Sequence, residues 1–386
     1  MRTSVRGWAC FAAQDRGEMT RQLLAKSQRI VVKVGSQVLC RDDGTLDDGV
    51  LVDLVAGIAD RQRAGQEVAF VSSGAVASGT GVAAKLNLGK QALAAIGQPL
   101  LMARYRELFA AHGVQVAQIL LTHADLADRG RFLHARRVMA ELMAAGVLPI
   151  INENDTVAVE ELKFGDNDAL AAQVAHVVGA DVLVLLTETD GLYTANPHED
   201  ATAQRIGHGE SHDDALLAVA SGGKSAFGTG GMHSKLLAAR KAGAVGVTVA
   251  IARGKNPGVI QALFAGQDVG TVLLPPKRRL TGKRSWIATS LRPRGTIHVD
   301  QGAATALRSG GRSLLPIGVT RVEGEFAVGD PLLVVDPQGQ PLGRGLSRYD
   351  SADARRAAGL RTEQITQEIG WLPASELIHR DDFVVS

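Results

Sequence analysis

The fold is decided by a stretch that reads Ile30-Val31-Val32-Lys33-Val34-Gly35-Ser36. Its first five residues are aliphatic apart from the lysine, as is typical of a strand buried on both faces of a sheet. Inside such a strand the charge of Lys33 is costly unless it has a partner. We therefore predict that Lys33 faces a polyanion at the strand end, where Gly35 lets backbone N–H groups approach the ligand. The alternative is an edge strand whose lysine extends into water.

The same pattern recurs along the chain, because aliphatic runs alternate with amphipathic segments of helical spacing. The predicted strands are Ile30–Val34, Val68–Val71, Val114–Leu121, Val147–Ile151, Val182–Leu186 and Val245–Ile251. The predicted helices are Val50–Arg63, Gln91–Ala111, Arg131–Ala145, Asn167–Val178 and Met232–Ala242. The glycines expected to end helices are Gly65, Gly113, Gly146, Gly179 and Gly243. This alternation predicts an α/β domain with a mostly parallel sheet, in which ligands bind at the carboxyl ends of the strands.

Small polar residues follow the second predicted strand, in the sequence Ser72-Ser73-Gly74-Ala75. Hydroxyl groups and a glycine at a strand-to-helix junction place hydrogen-bond donors at the positive end of a helix, which predicts an anion site. The alternative is a helix N-cap that binds no ligand.

Acidic and amide side chains crowd the end of the fourth predicted strand. Asn152-Glu153-Asn154-Asp155 follows the strand directly, and Gly165-Asp166-Asn167-Asp168 comes shortly afterwards. Such a set can bind an ammonium group, order two lysines or hold Mg²⁺. The alternative for the second group is a turn followed by an N-cap, since a helix rich in Ala and Leu begins there.

Two further segments have the features of nucleotide-binding loops. The fifth predicted strand ends in Thr187-Glu188-Thr189-Asp190-Gly191-Leu192-Tyr193, which is either such a loop or a plain hairpin-like turn. Gly228-Thr229-Gly230-Gly231-Met232-His233-Ser234-Lys235 places glycines and a lysine at the start of a helix. A helix N-terminus disfavours a cation unless an anion is bound there, so this segment predicts a phosphate site. Its alternative is a flexible loop with a surface lysine.

Several common catalytic and binding motifs are excluded. Gly223-Lys224-Ser225 resembles the end of a P-loop, but Ala218 stands where the first glycine is required. No G-x-G-x-x-G fingerprint follows the first strand, and no Cys–His or Ser–His–Asp arrangement is evident. His208 and His212 lie four residues apart in a polar, glycine-rich stretch, so we interpret them as loop histidines.

The pattern changes at Leu274-Pro275-Pro276-Lys277-Arg278-Arg279, where a proline pair and a basic cluster predict a linker. Beyond it the predicted elements are short and punctuated by glycines, which indicates a small, mainly β domain. Its predicted segments are Thr296–Val299, Ser313–Val322 and Pro331–Val335. Residues 277–386 contain 16 basic and 12 acidic residues, whereas the whole chain of 386 residues has 42 and 40. The small basic surplus therefore lies in this tail.

Composition limits the class of protein. The near-balanced charge excludes a strongly basic nucleic-acid wrapper and makes a disordered chain untenable. Cys10 and Cys40 are too few for a disulfide framework, and the sequence offers no signal peptide or membrane span. These features predict a cytoplasmic protein. The first residues lack periodicity, so translation that starts at Met19 would also give the complete fold.

Taken in order, these motifs resemble those of the amino acid kinase family, and within it the glutamate 5-kinases. The resemblance covers the chain from about Gln28 to its end. The tail is similar to the PUA domain of many bacterial members. Its matching segments are Gly302-Ala303, Ser313-Leu314-Leu315-Pro316, Gly345-Leu346-Ser347-Arg348-Tyr349 and His379-Arg380-Asp381-Asp382. The predicted divisions are a loose extension over 1–25, a kinase domain over 26–274, a linker over 275–284 and a PUA-like domain over 285–386.

The resemblance implies ATP-dependent phosphorylation of the γ-carboxylate of L-glutamate, which gives glutamyl 5-phosphate and ADP in the first step of proline biosynthesis. It implies ATP and Mg²⁺ as cofactors, with no protein side chain assigned as a metal ligand. It also implies proline as a feedback inhibitor and a homo-oligomer formed by the kinase domain.

The resemblance also implies roles for individual residues. Lys33 and Lys235 would neutralise the transferring phosphoryl group, and Asp168 would hold both lysines. Glutamate would contact Ser73, Asp155 and Asn167. ATP would contact Lys33, Thr187, Glu188, Thr229, Gly230, Gly231, Met232, His233, Ser234 and Lys235. This chain departs from the family pattern at Glu188, where many members have Asp.

Two other functions fit parts of the sequence. Kinases that act on acetylglutamate, carbamate, aspartate or UMP share the lysines and the glycine loops, although the Asn152–Asp155 motif and the PUA-like tail favour glutamate. An RNA-binding or RNA-modifying protein acting through the PUA-like tail is the second alternative. The basic residues in that region cluster only at Lys277–Arg279 and Lys283-Arg284, next to the linker.

Overall fold

The computed structural model describes residues 17–18, 20–41, 45–158, 167–197, 199–221, 231–277, 279–370 and 374–385. The chain divides into two compact units, Met1–Arg279 and Leu280–Ser386. The division lies within the 275–284 segment that the sequence predicts as a linker. The described part of that segment includes the start of a helix, Gly282–Ser290, which belongs to the second unit.

The first unit is built on an eight-stranded sheet. In chain order its strands are β1 (Arg29–Val34), β2 (Glu67–Ser72), β3 (Val116–Leu121), β4 (Leu148–Glu153), β5 (Val182–Thr187), β8 (His208–Glu210), β9 (Thr248–Arg253) and β10 (Thr271–Leu274). The short strands β6 (Leu192–Tyr193) and β7 (Arg205–Ile206) pair separately. The order across the sheet is β3-β4-β2-β1-β5-β9-β10-β8. All neighbours are parallel except β9 and β10, which confirms the mostly parallel sheet.

The central position of β1 explains its sequence. It pairs with β2 on one side and β5 on the other, so its aliphatic residues are covered on both faces and both edges. The interpretation of Lys33 as an edge-strand lysine is therefore wrong, since its strand lies in the middle of the sheet and the residue is only 4% exposed. A buried lysine at this position needs a counter-charge.

Helices flank the sheet. In the first unit they are α1 (Ser36–Leu39), α2 (Asp48–Arg63), α3 (Ala75–Ala83), α4 (Lys90–Ala110), α5 (His123–Ala127), α6 (Arg129–Ala144), α7 (Asn167–Val178), α8 (Asp214–Ser221), α9 (Met232–Ala244) and α10 (Val259–Phe264). The predicted helices match α2, α4, α6, α7 and α9 to within a few residues. None of the helices in the described ranges is long and apolar enough to cross a lipid bilayer.

Most of the predicted helix ends are confirmed, and one is wrong. Gly65, Gly113, Gly146 and Gly179 all have φ between +65° and +83°, the left-handed conformation that favours glycine. Gly243 lies inside α9 instead, and the reversal occurs at Gly246, where φ is +92°. This turn also delays the following strand, which begins at Thr248 rather than at Val245.

The start of the chain is only partly described, since residues 1–16 and 19 lie outside the described ranges. Residues 20–25 are helical, and Leu24 is buried in the core of the first unit. Arg21 forms an ion pair with Asp268. This end of the predicted loose extension is therefore packed, because its leucine has apolar partners and its arginine has a carboxylate partner.

The second unit has its own sheet and core. Its strands are β11 (Gly295–Val299), β12 (Val319–Gly324), β13 (Pro331–Val335), β14 (Pro341–Leu346) and β15 (Phe383–Val385), in the order β12-β11-β13-β14-β15. Its helices are α11 (Gly282–Ser290), α12 (Gln301–Arg308), α13 (Ser351–Ala357) and α14 (Thr362–Ile369). All neighbouring strands are antiparallel except β11 and β13. The predicted small, mainly β domain is thus present, although the first part of the 313–322 segment contains a 3₁₀ turn, Pro316–Gly318.

Candidate active site

The carboxyl ends of β1, β2, β4 and β5 border a cavity of about 380 Å³. Strands of a parallel sheet end at one edge, so motifs far apart in the sequence meet there. The predicted site residues that line this cavity are Lys33, Ser73, Asp155, Asn167, Thr187, Glu188 and Lys235. The sequence therefore predicted correctly which strand ends carry the cavity.

Two lysines meet one carboxylate beside this cavity. Lys33, on β1, donates to one carboxylate oxygen of Asp168, at the start of α7. Lys235, in the first turn of α9, donates to the other oxygen at 3.0 Å. All three are buried, with Asp168 at 0% and the lysines at 4% and 5% exposure. Both ammonium groups are thus held at fixed positions by a single acid.

The charge of Asp168 is stabilised by its neighbours. Burial raises the pKa of a carboxyl group, but the two ammonium groups outweigh burial here and hold the pKa of Asp168 below its usual value. Asp168 therefore remains a carboxylate at neutral pH. With one negative and two positive charges, this cluster carries a net positive charge next to the cavity.

The helix that carries Lys235 begins without a side-chain cap. Gly231 is the N-cap residue and has extended backbone, and as a glycine it has no side chain that could cap the helix. The hydroxyl of Ser234 instead donates to the backbone oxygen of Gly231 at 2.8 Å and lies 3.3 Å from Asp168. The first turn of α9, where the helix dipole is positive, carries Lys235 to the cavity wall, and such a position favours an anion.

A hydrogen-bond network of small polar residues forms another part of the cavity wall. The side-chain N–H₂ of Asn167 lies 2.8 Å from Ser73 Oγ and 2.9 Å from Asn152 Oδ1. Ser73 is followed by Gly74, whose φ of +108° directs the chain from β2 into α3. The hydroxyl of Ser73 therefore accepts from Asn167, and its own proton remains available to a ligand.

The remaining predicted residues lie at different distances from this centre. Glu188 and Asp155 are on the cavity wall, whereas Met232 and His233 belong to the first turn of α9 and do not line the cavity. Thr229 and Gly230 lie outside the described residues, as do Gly165 and Asp166. His208 lies in β8, so its interpretation as a loop histidine is wrong, and His212 contacts Glu210 at 3.2 Å; neither lines the cavity.

Sequence reasoning missed several residues near the site, among them Glu153, Gln98 and Tyr105. Glu153 lines the cavity and is buried, and only its place in a polar motif indicated it. Gln98 and Tyr105 lie on α4 and contact the polar wall through Asn152 and Ser72. Their spacing is ordinary for an amphipathic helix, so nothing in the sequence distinguishes them from packing residues.

Comparison with known proteins agrees with this geometry. The sequence profile of the amino acid kinase family matches residues 28–253, and that of the PUA domain matches residues 295–369. A glutamate 5-kinase from Chromohalobacter salexigens is 46% identical over 373 residues, which cover 95% of this chain and 98% of that protein. A glutamate 5-kinase from Pelobacter propionicus is 46% identical over 372 residues, covering 95% and 100%.

A solved structure, UMP kinase from Bacillus anthracis, is similar over 66% of this chain and 99% of its own, with 16% identity and a TM-score of 0.46. The family assignment depends on the sequence relatives, which span nearly the full chain. Together with the matching profile, these relatives show that the chain belongs to the glutamate 5-kinases of the amino acid kinase family.

Proposed function

We propose that this chain transfers the γ-phosphoryl group of ATP to the γ-carboxylate of L-glutamate, giving glutamyl 5-phosphate and ADP. This reaction is the first step of proline biosynthesis. One observation supports it above the others: two buried lysines share one carboxylate at the edge of the sheet where the substrate motifs meet. The glutamate 5-kinase relatives supply the identity of the acceptor.

The two lysines fit the demands of phosphoryl transfer. A carboxylate that attacks a triphosphate brings several negative charges together, so the reaction needs positioning and charge neutralisation. A γ-carboxylate oxygen forms a bond to the γ-phosphorus while the bond to the leaving ADP oxygen breaks. We assign Lys33 and Lys235 to the charge that develops on the transferring group, and Asp168 to holding them apart at fixed positions.

No general base is required for this reaction. A γ-carboxylate has a pKa near 4.3 and is already ionised at neutral pH. This agrees with the composition of the cavity wall, where the described residues include lysines, serines, amides and carboxylates but no histidine. The protein therefore contributes placement and electrostatics rather than proton transfer.

We assign the glutamate contacts to Ser73, Asp155 and Asn167. Ser73 has a hydroxyl proton available for a substrate carboxylate, because its oxygen already accepts from Asn167. Asp155 on the same wall suits the α-ammonium group. The cavity thus offers a partner both for a carboxylate and for the ammonium group of an amino acid.

We assign the ATP contacts to the side of the cavity formed by β5 and α9. Thr187 and Glu188 line it, and the start of α9, which brings Lys235 to the cavity wall, is a position that favours a phosphate. Thr229 and Gly230 complete the proposed glycine loop by sequence. Met232 and His233 belong to the first turn of α9, which follows this loop.

We propose that Mg²⁺ reaches the site with ATP. Among the described residues, no group of three or more His, Cys, Asp or Glu side chains is arranged to hold a metal ion, and Asp168 is engaged by two lysines. A cavity wall of this kind fits a cation that is bound mainly by phosphate oxygens, which is the usual mode for Mg²⁺. When bound, it supplies further neutralisation of phosphate charge.

We further propose that proline inhibits at or beside the glutamate site, since proline resembles a cyclised glutamate, and that the chain forms a homo-oligomer. Inhibition by proline that rising glutamate concentration relieves would support this placement. Inhibition that glutamate fails to relieve would contradict it.

RNA binding by the PUA domain has less support as a second function. In the described part of the second unit, six basic side chains form ion pairs with carboxylates, which weakens any phosphate-tracking surface. A salt-dependent mobility shift with structured RNA at micromolar protein would favour this function.

The acceptor assay tests the proposal directly. ADP release is measured with ATP, Mg²⁺ and, separately, glutamate, acetylglutamate, aspartate, carbamate and UMP. We expect turnover with glutamate and little with the others. Turnover with another acceptor and none with glutamate would contradict the proposal.

A further inference from the structure

Helix α4 lies directly behind the polar wall of the cavity. Gly97 of α4 packs against α3 so closely that a Cβ at this position would lie 1.8 Å from the backbone oxygen of Ala75. Gly79 of α3 is equally constrained, since a Cβ there would lie 1.9 Å from the backbone oxygen of Leu93. Because α3 begins immediately after Ser73-Gly74, this contact fixes α4 against the loop that we assign to glutamate.

Gln98 of α4 begins one chain of hydrogen bonds that ends at Ser73. The side-chain N–H₂ of Asn152 donates to Gln98 Oε1 at 2.9 Å. Asn152 Oδ1 in turn accepts from the side-chain N–H₂ of Asn167 at 2.9 Å, and Asn167 also donates to Ser73 Oγ at 2.8 Å. Four residues from four separate segments are thus joined, with Asn167 donating both toward Gln98 through Asn152 and toward Ser73.

A backbone group fixes the direction of this chain. The N–H of Glu153 donates to Asn152 Oδ1 at 2.9 Å, so that atom must be the amide oxygen. The other end of the Asn152 amide is then a donor, which requires an acceptor at Gln98. Gln98 therefore stabilises the orientation of Asn152 that the Glu153 N–H selects. Through Asn152 it supports the amide of Asn167, which also donates to the backbone oxygen of Ser72 at 3.2 Å.

Tyr105 begins a second chain, seven residues further along α4 and on the same face as Gln98. Its hydroxyl lies 2.7 Å from Ser72 Oγ, and Ser72 donates its own proton to the backbone oxygen of Ser73 at 2.9 Å. Tyr105 must then be the donor to Ser72. Burial raises the pKa of Tyr105, so this proton is retained at any ordinary pH.

We propose that Gln98 and Tyr105 are positioning residues that orient Ser73 and Asn167 for the phosphoryl acceptor. Neither side chain lines the cavity, so each acts through another residue. The inference rests on the proposed function, because it assumes that Ser73 and Asn167 contact glutamate. It predicts that loss of either side chain impairs the use of glutamate and leaves the use of ATP unchanged.

The first test compares Gln98→Met and Tyr105→Phe with the wild type, in steady-state assays that vary glutamate and ATP separately. Each variant keeps the size of the side chain and removes its hydrogen bond. We expect the KM for glutamate to rise about 5- to 10-fold, as for the loss of one hydrogen bond, with the KM for ATP within twofold of the wild type. Arg106→Gln, an exposed position on the same helix, is the matched control and should change neither KM.

A second test asks whether the effects pass through the assigned residues. Tyr105→Phe should raise the KM for glutamate less than twofold when Ser73 is already alanine, and Gln98→Met should do the same in an Asn152→Ala background. Full, additive effects in these backgrounds would overturn the inference. A loss of turnover with both KM values unchanged would also overturn it, because that result indicates a purely structural role.

Failure of the inference is distinguishable from failure of the proposed function. A wild-type protein that releases no ADP with glutamate contradicts the proposed function itself. A wild type that is active with glutamate, together with variants whose glutamate KM is unchanged, contradicts only the positioning roles of Gln98 and Tyr105.

Discussion

In the first unit, two buried lysines share the single carboxylate of Asp168, whereas in the described part of the second unit each ion-paired lysine or arginine contacts a different carboxylate. The cationic side chains of those second-unit pairs are 40–65% exposed. The cluster of the first unit leaves an excess of positive charge beside a cavity. In the ion pairs of the second unit, the positive charge is cancelled by a carboxylate at the surface. Counted over Lys, Arg, Asp and Glu, the two units carry the same small net charge, +1 each. The comparison teaches that placement of charge, rather than its total, indicates the catalytic region.

The largest expected effect comes from removing the shared acid. Asp168→Asn leaves two buried ammonium groups without their counter-charge, and breaking a buried pair in this way costs about 3–5 kcal/mol. We expect the free energy of unfolding, measured by urea titration, to fall by that order, and activity to fall with it. An Asp168→Asn protein as stable as the wild type would show that the carboxylate does not hold the lysines.

The lysines themselves should affect chemistry more than stability. Lys235→Ala removes one of two charges that we assign to the transferring phosphoryl group, so kcat should fall on the order of 10²–10³-fold, as for other preorganised charge-stabilising donors. Lys33→Ala should behave similarly. Because one lysine remains beside Asp168, the midpoint of unfolding should shift far less than in Asp168→Asn. Near-normal turnover in either variant would contradict the assigned role.

The pH dependence of stability sharpens the same comparison. The pKa of Asp168 is lower in the folded chain, where two ammonium groups outweigh the effect of burial, than the unperturbed value of about 3.9. The unfolded chain therefore takes up the proton first as pH falls. The stability advantage of the wild type over Asp168→Asn should stay constant from neutral pH down to about pH 5 and shrink below roughly pH 4. An advantage that disappears near pH 6 would contradict the depressed pKa.

The smallest effect is expected in the second unit. Lys283 pairs with Asp382 at 2.6 Å and is half exposed, so Lys283→Ala should change stability by about 1 kcal/mol or less. Turnover with glutamate should remain within twofold of the wild type. A large loss of kcat would show that charges of the second unit take part in the reaction.

Local sequence signals were sufficient for much of the fold. Aliphatic runs predicted the parallel strands, and glycines with positive φ marked helix ends at Gly65, Gly113, Gly146 and Gly179. Aliphatic runs did not predict the turn at Gly246, because the residues around it are apolar. They also did not predict β8, because that strand is short and polar. In those cases pairing with neighbouring strands, which no local pattern reveals, decides the structure.

Local sequence patterns predicted the residue types of the site, whereas the pairing of Asp168 with both lysines was predicted only through the family resemblance. A lysine inside a valine-rich strand demands a counter-charge, and that argument singled out Lys33 from sequence alone. That its partner is Asp168, and that Lys235 shares this partner, depends on where three distant segments meet. Gln98 and Tyr105 were missed for the same reason, since their importance comes only from the residues that they contact across the fold.

The central claim is that the lysine pair serves transfer of a phosphoryl group to glutamate. The most direct measurement is single-turnover formation of the acyl phosphate from saturating ATP and glutamate, trapped with hydroxylamine, for the wild type and Lys235→Ala. The account predicts trapped product equal to the ADP formed in the wild type, and a rate on the order of 10²–10³-fold lower in the variant. Equal rates in the two proteins, or ADP formed without trapped product, would contradict it.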